Sequence, residues 1–389
     1  MRASKLPDVG TTIFTIVSRR ARELGALNLG QGFPDYDIDP RLAALVAEAM
    51  RTGHNQYAPM EGTPELRARI ALKLRACYGI EADPDTEITV TQGATEAIYS
   101  AVQAAIGPGE EAIAFDPAYD SYEPAVRLAG GRCVRLPLEP PGFRYDWDRV
   151  RAGLNERTRL VLLNSPSNPA CTVAGAGDLA ALAAAIRGRD VLVLSDEVYE
   201  HVVFDGARHH SVLGHAELRD KSFAVFSFGK TLHATGMRIG YCVAPRALTA
   251  ELRKVHQFNT FSIATPLQQA IAAYLAEQPD GWRGLADFFQ AKRDRLRSAL
   301  ATSGFRLPPA QGTYFQLLDF GEFAPPDDMA FAERLLTEGG VASIPLSPFY
   351  AVPPPLPYLR LCIAKRDDTL DEAAARLAAF AARLAGSGR

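Results

Sequence analysis

The sequence predicts an α/β fold: a mostly parallel sheet with helices on both faces, followed by a smaller α+β domain. Three observations predict it. Short apolar runs alternate with helical segments from about residue 87 to 245. The runs are continuously apolar, as at 191–194 (VLVL), which suits strands covered on both faces. Polar residues follow directly after each run, at the carboxyl ends of strands where such sheets collect ligands.

The elements follow in order. Residues 87–91 read as a strand, 95–106 as a helix, and Gly107-Pro108-Gly109 as the turn after it. A strand over 111–115, a helix over 122–129 and a strand over 133–136 come next. Residues 159–163 are a strand, 178–186 a helix, 191–194 a strand and 223–228 a strand. A long helix over 282–303 opens the C-terminal part, with strands expected at 314–318, 341–344 and 358–362 and helices at 329–338 and 369–384. The first forty residues read as loop-rich and packed on this second part, and 386–389 as a frayed tail.

Bulk properties narrow the function. The 389 residues allow two domains, and 47% hydrophobic with 22% charged residues is ordinary for a globular protein. A net charge of −3 gives no bulk attraction to nucleic acid or anionic membrane. The five cysteines are scattered and show neither a disulfide framework nor metal spacing, so no metal is expected. No secretion peptide or membrane span is legible, so a cytoplasmic location is expected.

Lys230 is the residue that organises the rest. A buried strand delivers it into a small-residue turn, and the chain has only seven lysines. Desolvation there favours the neutral amine, which forms an imine with an aldehyde. The other six, Lys5, Lys73, Lys221, Lys254, Lys292 and Lys365, read as solvated charges.

The other strand ends supply company. Ala94 and Thr95 open a helix, where backbone N–H groups suit an anion, although the same run is also an ordinary helix cap. Tyr119 follows the next strand and could stack on a planar ligand or fill the rim. Asn164 and Asn168 sit in a Pro-rich loop that fixes their amides. Asp196 ends an apolar strand and needs a partner such as a protonated ring nitrogen, unless it caps a helix; Tyr199 follows three residues on. Ser227 and Arg238 flank Lys230 and suit a phosphate ester. Together these groups describe pyridoxal 5′-phosphate.

With those residues in view, the chain resembles the fold-type I pyridoxal-phosphate enzymes, the class I/II aminotransferases. The resemblance rests on residues 28–35 (NLGQGFPD), 55–57 (NQY), 91–96 (TQGATE), 164–169 (NSPSNP), 195–199 (SDEVY), 227–241 (SFGKTLHATGMRIGY) and 358–362 (YLRLC). Within that class it is similar to the methionine aminotransferases of the kynurenine/glutamine aminotransferase branch.

The resemblance implies a seven-stranded large sheet and three parts: 1–45, an N-terminal segment packing on the small domain; 46–281, the large cofactor domain; and 282–389, the small domain. It implies a homodimer with shared active sites, acting on amino acids and 2-oxo acids. Lys230 is then the imine-forming lysine and proton shuttle, and Asp196 the partner of the pyridine nitrogen. Asn168 and Tyr199 bond the ring oxygen, Asn164 is a further cofactor contact, and Tyr119 stacks on the ring. Ala94, Thr95, Ser227 and Arg238 hold the phosphate with Tyr57 from the second subunit. Arg360, Gly32 and Asn168 receive the substrate carboxylate, with Phe33, Phe349 and Tyr350 at the mouth. Met237 stands where family members usually carry Trp. The implied reaction is transfer of an amino group from methionine or another neutral or aromatic amino acid. The alternative is a cysteine-conjugate C–S β-lyase on the same fold.

Overall fold

The computed structural model describes residues 4–387. A helix, Ile13–Glu23, comes first; the Thr12 hydroxyl caps it by accepting from the Thr15 amide. Strand β1 (Leu27–Asn28) follows. The large sheet is built from β2 (Ile88–Thr91), β3 (Glu111–Asp116), β4 (Arg132–Pro137), β5 (Thr158–Asn164), β6 (Leu192–Asp196), β7 (Ser222–Ser227) and β8 (Gly240–Val243). The later strands are β9 (Phe315–Asp319), β10 (Val341–Ala342), β11 (Ile344–Pro345) and β12 (Tyr358–Cys362).

The seven-stranded order is β2-β8-β7-β6-β5-β3-β4. Six strands run in one direction. β8 alone is reversed, antiparallel to both β2 and β7. That reversal positions the site. Gly240, the first residue of β8, lies opposite Thr91 and Ser227, the last residues of its neighbours. Asn164 likewise lies opposite Asp196. One edge of the sheet therefore gathers four strand ends and one strand start.

Side-chain alternation divides the core. Ala112, Ala114, Leu160, Leu162 and Leu194 face one layer, with Ile98, Ala101 and Val102 of the helix Gly93–Ala105. Ile113, Val161, Leu163 and Val193 face the other, with Leu182 and Ile186 of the helix Ala176–Ile186. Each such aliphatic side chain contributes roughly 1.5–3 kcal/mol on burial. Burial on both faces explains why β3 and β7 read as unbroken apolar runs.

The C-terminal part packs helices Leu285–Ala299, Asp328–Gly339 and Asp367–Ser387 around the antiparallel sheet β11-β12-β9. β1 pairs in parallel with β10, Leu27 opposite Val341, which ties the N-terminal segment to this part.

The structure corrects several expectations. The single strand expected at 341–344 is two. Val341 and Ala342 pair with β1, the chain changes sheet at Ser343, and Ile344 pairs with β12. The long helix is confined to Leu285–Ala299. The start of the chain is less loop-rich than expected, because Ile13–Glu23 is helical. Gly386 and Ser387 continue the last helix rather than fraying; Gly388, Arg389 and the first three residues lie outside the described residues. Three of the lysines read as solvated are buried. The Lys73 ammonium donates to Glu200 (2.6 Å) and Tyr241 (3.2 Å), Lys292 to the Lys365 carbonyl (2.6 Å), and Lys365 to the Phe33 carbonyl (2.9 Å). Among the described residues no helix is long and apolar enough to cross a membrane, and no three His, Cys, Asp or Glu side chains come together as a metal site.

Candidate active site

β7 ends at Ser227, one residue before the expected end, and the chain passes at once into one turn of helix, Phe228–Thr231. Phe228 is buried, which anchors the turn and leaves Lys230 half-buried at the sheet edge. The Lys230 ammonium donates to the Tyr314 hydroxyl at 2.7 Å and to the Gly32 carbonyl at 3.5 Å. The Tyr314 hydroxyl in turn donates to the Gly32 carbonyl at 2.5 Å. Burial, reinforced by the nearby Arg238 and Arg360 charges, pulls the pKa of Lys230 down to about 8.

Asp196 ends β6 and is 4% exposed. Burial pushes its carboxyl up to about 6, against the opposing bond from Tyr122. The Tyr122 hydroxyl donates to Oδ2 at 2.6 Å, and Oδ1 takes only a long 3.4 Å bond from the Val198 amide. No helix follows Asp196 directly, so it is not a helix cap. The Asn164 amide donates to the Asp196 carbonyl at 3.0 Å, and its own Oδ1 accepts from the Asn168 N–H at 2.7 Å. Tyr199 is buried edge-on against Tyr314, ring centroids 5.0 Å apart.

Three glycine and arginine positions make an anion cradle. Gly93 has φ +68° and starts the helix Gly93–Ala105; a Cβ there would lie 2.6 Å from the Arg238 guanidinium. A Cβ on Gly240 would lie 2.7 Å from the Gly93 carbonyl carbon and 2.8 Å from the Ala94 nitrogen. Arg238 itself holds φ +56° just before β8, which turns its side chain back toward that helix start. Backbone N–H groups and a guanidinium thus converge where no side chain could intrude.

On the other side of Lys230, Arg360 is buried in β12. Its guanidinium donates to Asn168 Oδ1 (2.6 Å) and the Gly30 carbonyl (2.9 Å), while Nε has no partner. It lies 3.9 Å from the Phe315 ring centroid, 5.2 Å from Phe14 and 6.0 Å from Phe349.

One cavity is lined by Ala94, Thr95, Tyr119, Asn164, Asn168, Asp196, Tyr199, Ser227, Lys230 and Arg238. Gly32 and Arg360 adjoin it through Lys230 and Asn168. The remaining expected residues lie elsewhere. Tyr57 is 83% exposed, its ring edge-on to Phe261. Phe33 is exposed, beneath the Lys365 ammonium. Phe349 is buried behind Arg360, and the Tyr350 hydroxyl turns away to the Leu138 carbonyl. Sequence reading missed Tyr314 and Tyr122, the hydroxyl partners of Lys230 and Asp196. Both look like ordinary core tyrosines beside apolar runs, and neither carries a local signal.

The model of the family described as aminotransferase class I and II matches residues 25–377. The chain belongs to the class I and II aminotransferases. It is 51% identical to the methionine aminotransferase of Escherichia coli (strain K12), over 96% of this chain and 97% of the relative. It is 38% identical to a probable N-succinyldiaminopimelate aminotransferase of Mycobacterium tuberculosis, over 99% and 100%. A solved E. coli structure, described as identifying a methionine aminotransferase function, superposes with a TM-score of 0.96 at 50% identity, covering 97% of this chain and 99% of that one.

Members of this family work with pyridoxal 5′-phosphate, and this chain is accordingly a transaminase of fold type I. The residues present fit that cofactor. The cradle at Gly93 and Arg238 is shaped for a small anion. Asp196 leaves one carboxylate oxygen lightly engaged, and Lys230 lines the same cavity as both.

Proposed function

We propose that this enzyme moves the amino group of methionine, or of another neutral or aromatic amino acid, to a 2-oxo acid, with Lys230 as its catalytic base. The environment of Lys230 carries the reading. At pH 7 a lysine with a pKa of about 8 is neutral in about a tenth of molecules. An unperturbed one is neutral in about one in 2,500.

When bound, pyridoxal phosphate supplies an electrophilic aldehyde carbon and a ring that accepts the electron pair left by α-proton removal. The chain's own residues do the rest. Ala94, Thr95, Ser227 and Arg238 hold the phosphate. Asp196, ionised above about pH 6, would partner the ring nitrogen and keep it protonated. Asn168 and Tyr199 would bond the ring oxygen, with Asn164 bracing that loop, and Tyr119 would stack on the ring. Lys230 Nζ takes the α-proton and returns it, held between moves by the Tyr314 hydroxyl and the Gly32 carbonyl. Arg360, with one nitrogen unpartnered, takes the substrate carboxylate beside Asn168.

The likeness to the E. coli enzyme supports methionine as donor. So do the aromatic walls Phe14, Phe315 and Phe349 around Arg360. Among the described residues of one chain, Arg238 is the guanidinium lining the cavity itself, and it is assigned to the phosphate. A panel of amino donors given to the purified holoenzyme tests this. Methionine and aromatic donors are expected to outpace aspartate, and equal or faster turnover of aspartate would sink the substrate reading. No observation favours the C–S lyase alternative; pyruvate release from a cysteine conjugate would reveal it.

The exposed Tyr57, Phe258 and Phe261 support a homodimer in which Tyr57 of one copy reaches the phosphate of the other. Sedimentation would show a monomer if that is wrong. The β1–β10 pairing supports the division into 1–45, 46–281 and 282–389, testable by limited proteolysis. We place the enzyme in the cytoplasm, in keeping with its free cysteines.

A further inference from the structure

We propose that His256 is a positioning residue for the cofactor's phosphate: its ring, held as an imidazolium, masks the Glu96 carboxylate in the first turn of the helix that opens the anion cradle. The inference rests on the reading that the phosphate sits at Gly93 and Arg238.

Glu96 both builds that helix start and opposes its use. The helix Gly93–Ala105 turns its free N–H groups toward the cradle, and Glu96 is the acidic residue of its first turn. Its Oε2 accepts from the Gln92 amide at 3.2 Å, which folds the chain into the helix. An unmasked carboxylate so close to the cradle repels a phosphate dianion. The side chain is 9% exposed, so water screens it poorly.

His256 supplies the countercharge. It lies on the helix Arg246–Asn259, packed against Gly93–Ala105, and its side chain is completely buried. Nδ1 lies 3.1 Å from Glu96 Oε1, and Nε2 lies 2.9 Å from the Met60 carbonyl. A carbonyl only accepts, so Nε2 carries a hydrogen. Oε1 already accepts from the Ser100 hydroxyl at 2.6 Å, and Nδ1 meets it with a hydrogen rather than a lone pair only if that nitrogen is protonated too. Both nitrogens are therefore donors and the ring is charged. Burial works against that charge, but the bond and charge of Glu96 and the Met60 carbonyl outweigh it, which raises the pKa of His256 above its ordinary value. Arg253, on the same helix and bonded to the Thr89 hydroxyl and the Ile88 carbonyl of β2, opposes the charge more weakly.

The test compares pyridoxal 5′-phosphate with pyridoxal, which lacks the phosphate, by equilibrium dialysis against the cofactor-free protein at neutral pH. His256→Gln is expected to weaken pyridoxal phosphate roughly tenfold and to leave pyridoxal nearly unchanged. Glu96→Gln removes the charge that His256 masks, so the double variant Glu96→Gln/His256→Gln is expected to recover most of the loss. A merely structural role for His256 would weaken both ligands alike and leave the double variant no better than the single. The wild type gives a reading that needs no variant. If the charged ring favours bound phosphate, bound phosphate favours the charged ring by the same factor. Histidine-labelled NMR should therefore show His256 keeping its proton to higher pH in the holoenzyme than in the cofactor-free protein, by about one pH unit for a tenfold coupling. Unchanged affinity in His256→Gln, an equal loss for pyridoxal, no recovery in the double variant, or the same His256 titration in both forms would overturn the proposal. Failure of the wild type to bind pyridoxal phosphate would instead overturn the cofactor reading beneath it.

Discussion

Replacing Tyr314 by Phe isolates the one hydroxyl that touches the Lys230 amine. The Tyr314 hydroxyl donates to the Gly32 carbonyl at 2.5 Å, so toward Lys230, 2.7 Å away, it acts as acceptor. An acceptor stabilises the ammonium, and removing it favours the neutral amine. Hydrogen bonds to charged groups contribute about 1.5–3 kcal/mol, and each 1.36 kcal/mol moves a pKa by one, so the value should fall from about 8 to between roughly 6 and 7. Phe fills the same volume, and the ring keeps its edge-on contact with Tyr199. The assay is the pH dependence of Lys230 acylation in the cofactor-free protein, followed by mass spectrometry against the exposed Lys254. An unchanged or raised midpoint would refute the assignment of Tyr314 as acceptor. The holoenzyme should keep its affinity for amino donors but lose turnover, because the freed amine is no longer held.

Other perturbations probe the frame around the site. Lys73→Met strands the Glu200 carboxylate in the core, both side chains being 1–2% exposed. It should cost about 3–5 kcal/mol and lower Tm by roughly 5–10 °C in thermal denaturation, whereas Lys254→Met at the surface should change little. Asp196 has a raised carboxyl, so the folded, cofactor-free protein binds a proton that the unfolded chain releases between about pH 4 and 6. Stability should therefore fall as pH rises through that window, by at most about 3 kcal/mol, and Asp196→Asn should flatten the slope seen in urea unfolding. Gly240→Ala drives a methyl group into the Gly93–Ala94 backbone. Cofactor affinity should drop tenfold or more by equilibrium dialysis, and wild-type affinity would show that the cradle is not where the phosphate sits.

Much of this was legible in the sequence because the sheet is buried on both faces. Its strands are unbroken apolar runs, so their ends stand out, and the residues after them carry the chemistry. Lys230, Asp196 and Asn168 were found that way. Strand direction was not legible. Gly240–Val243 is four residues long and looks the same read either way, so the reversal that brings Arg238 to the shared edge came only from the pairing. The buried lysines were misread for a related reason. Lys73 and Lys292 lie on helices, and nothing in the local sequence shows that a second layer covers them. Tyr314 was missed because its partner lies 84 residues away in the chain. No local pattern distinguishes it from the neighbouring Phe315, which packs on Arg360 instead.

The central claim is that Lys230 is the lysine that engages the cofactor. Borohydride treatment of the holoenzyme, followed by peptide mass spectrometry, tests it most directly, since reduction fixes the cofactor to whichever amine holds it. The account predicts the added mass on the peptide containing Lys230 and none on any peptide of Lys230→Ala, which should still bind the cofactor reversibly through the cradle at Gly93 and Arg238. Label on another lysine, or a Lys230→Ala enzyme that turns over substrate at a substantial rate, would contradict it.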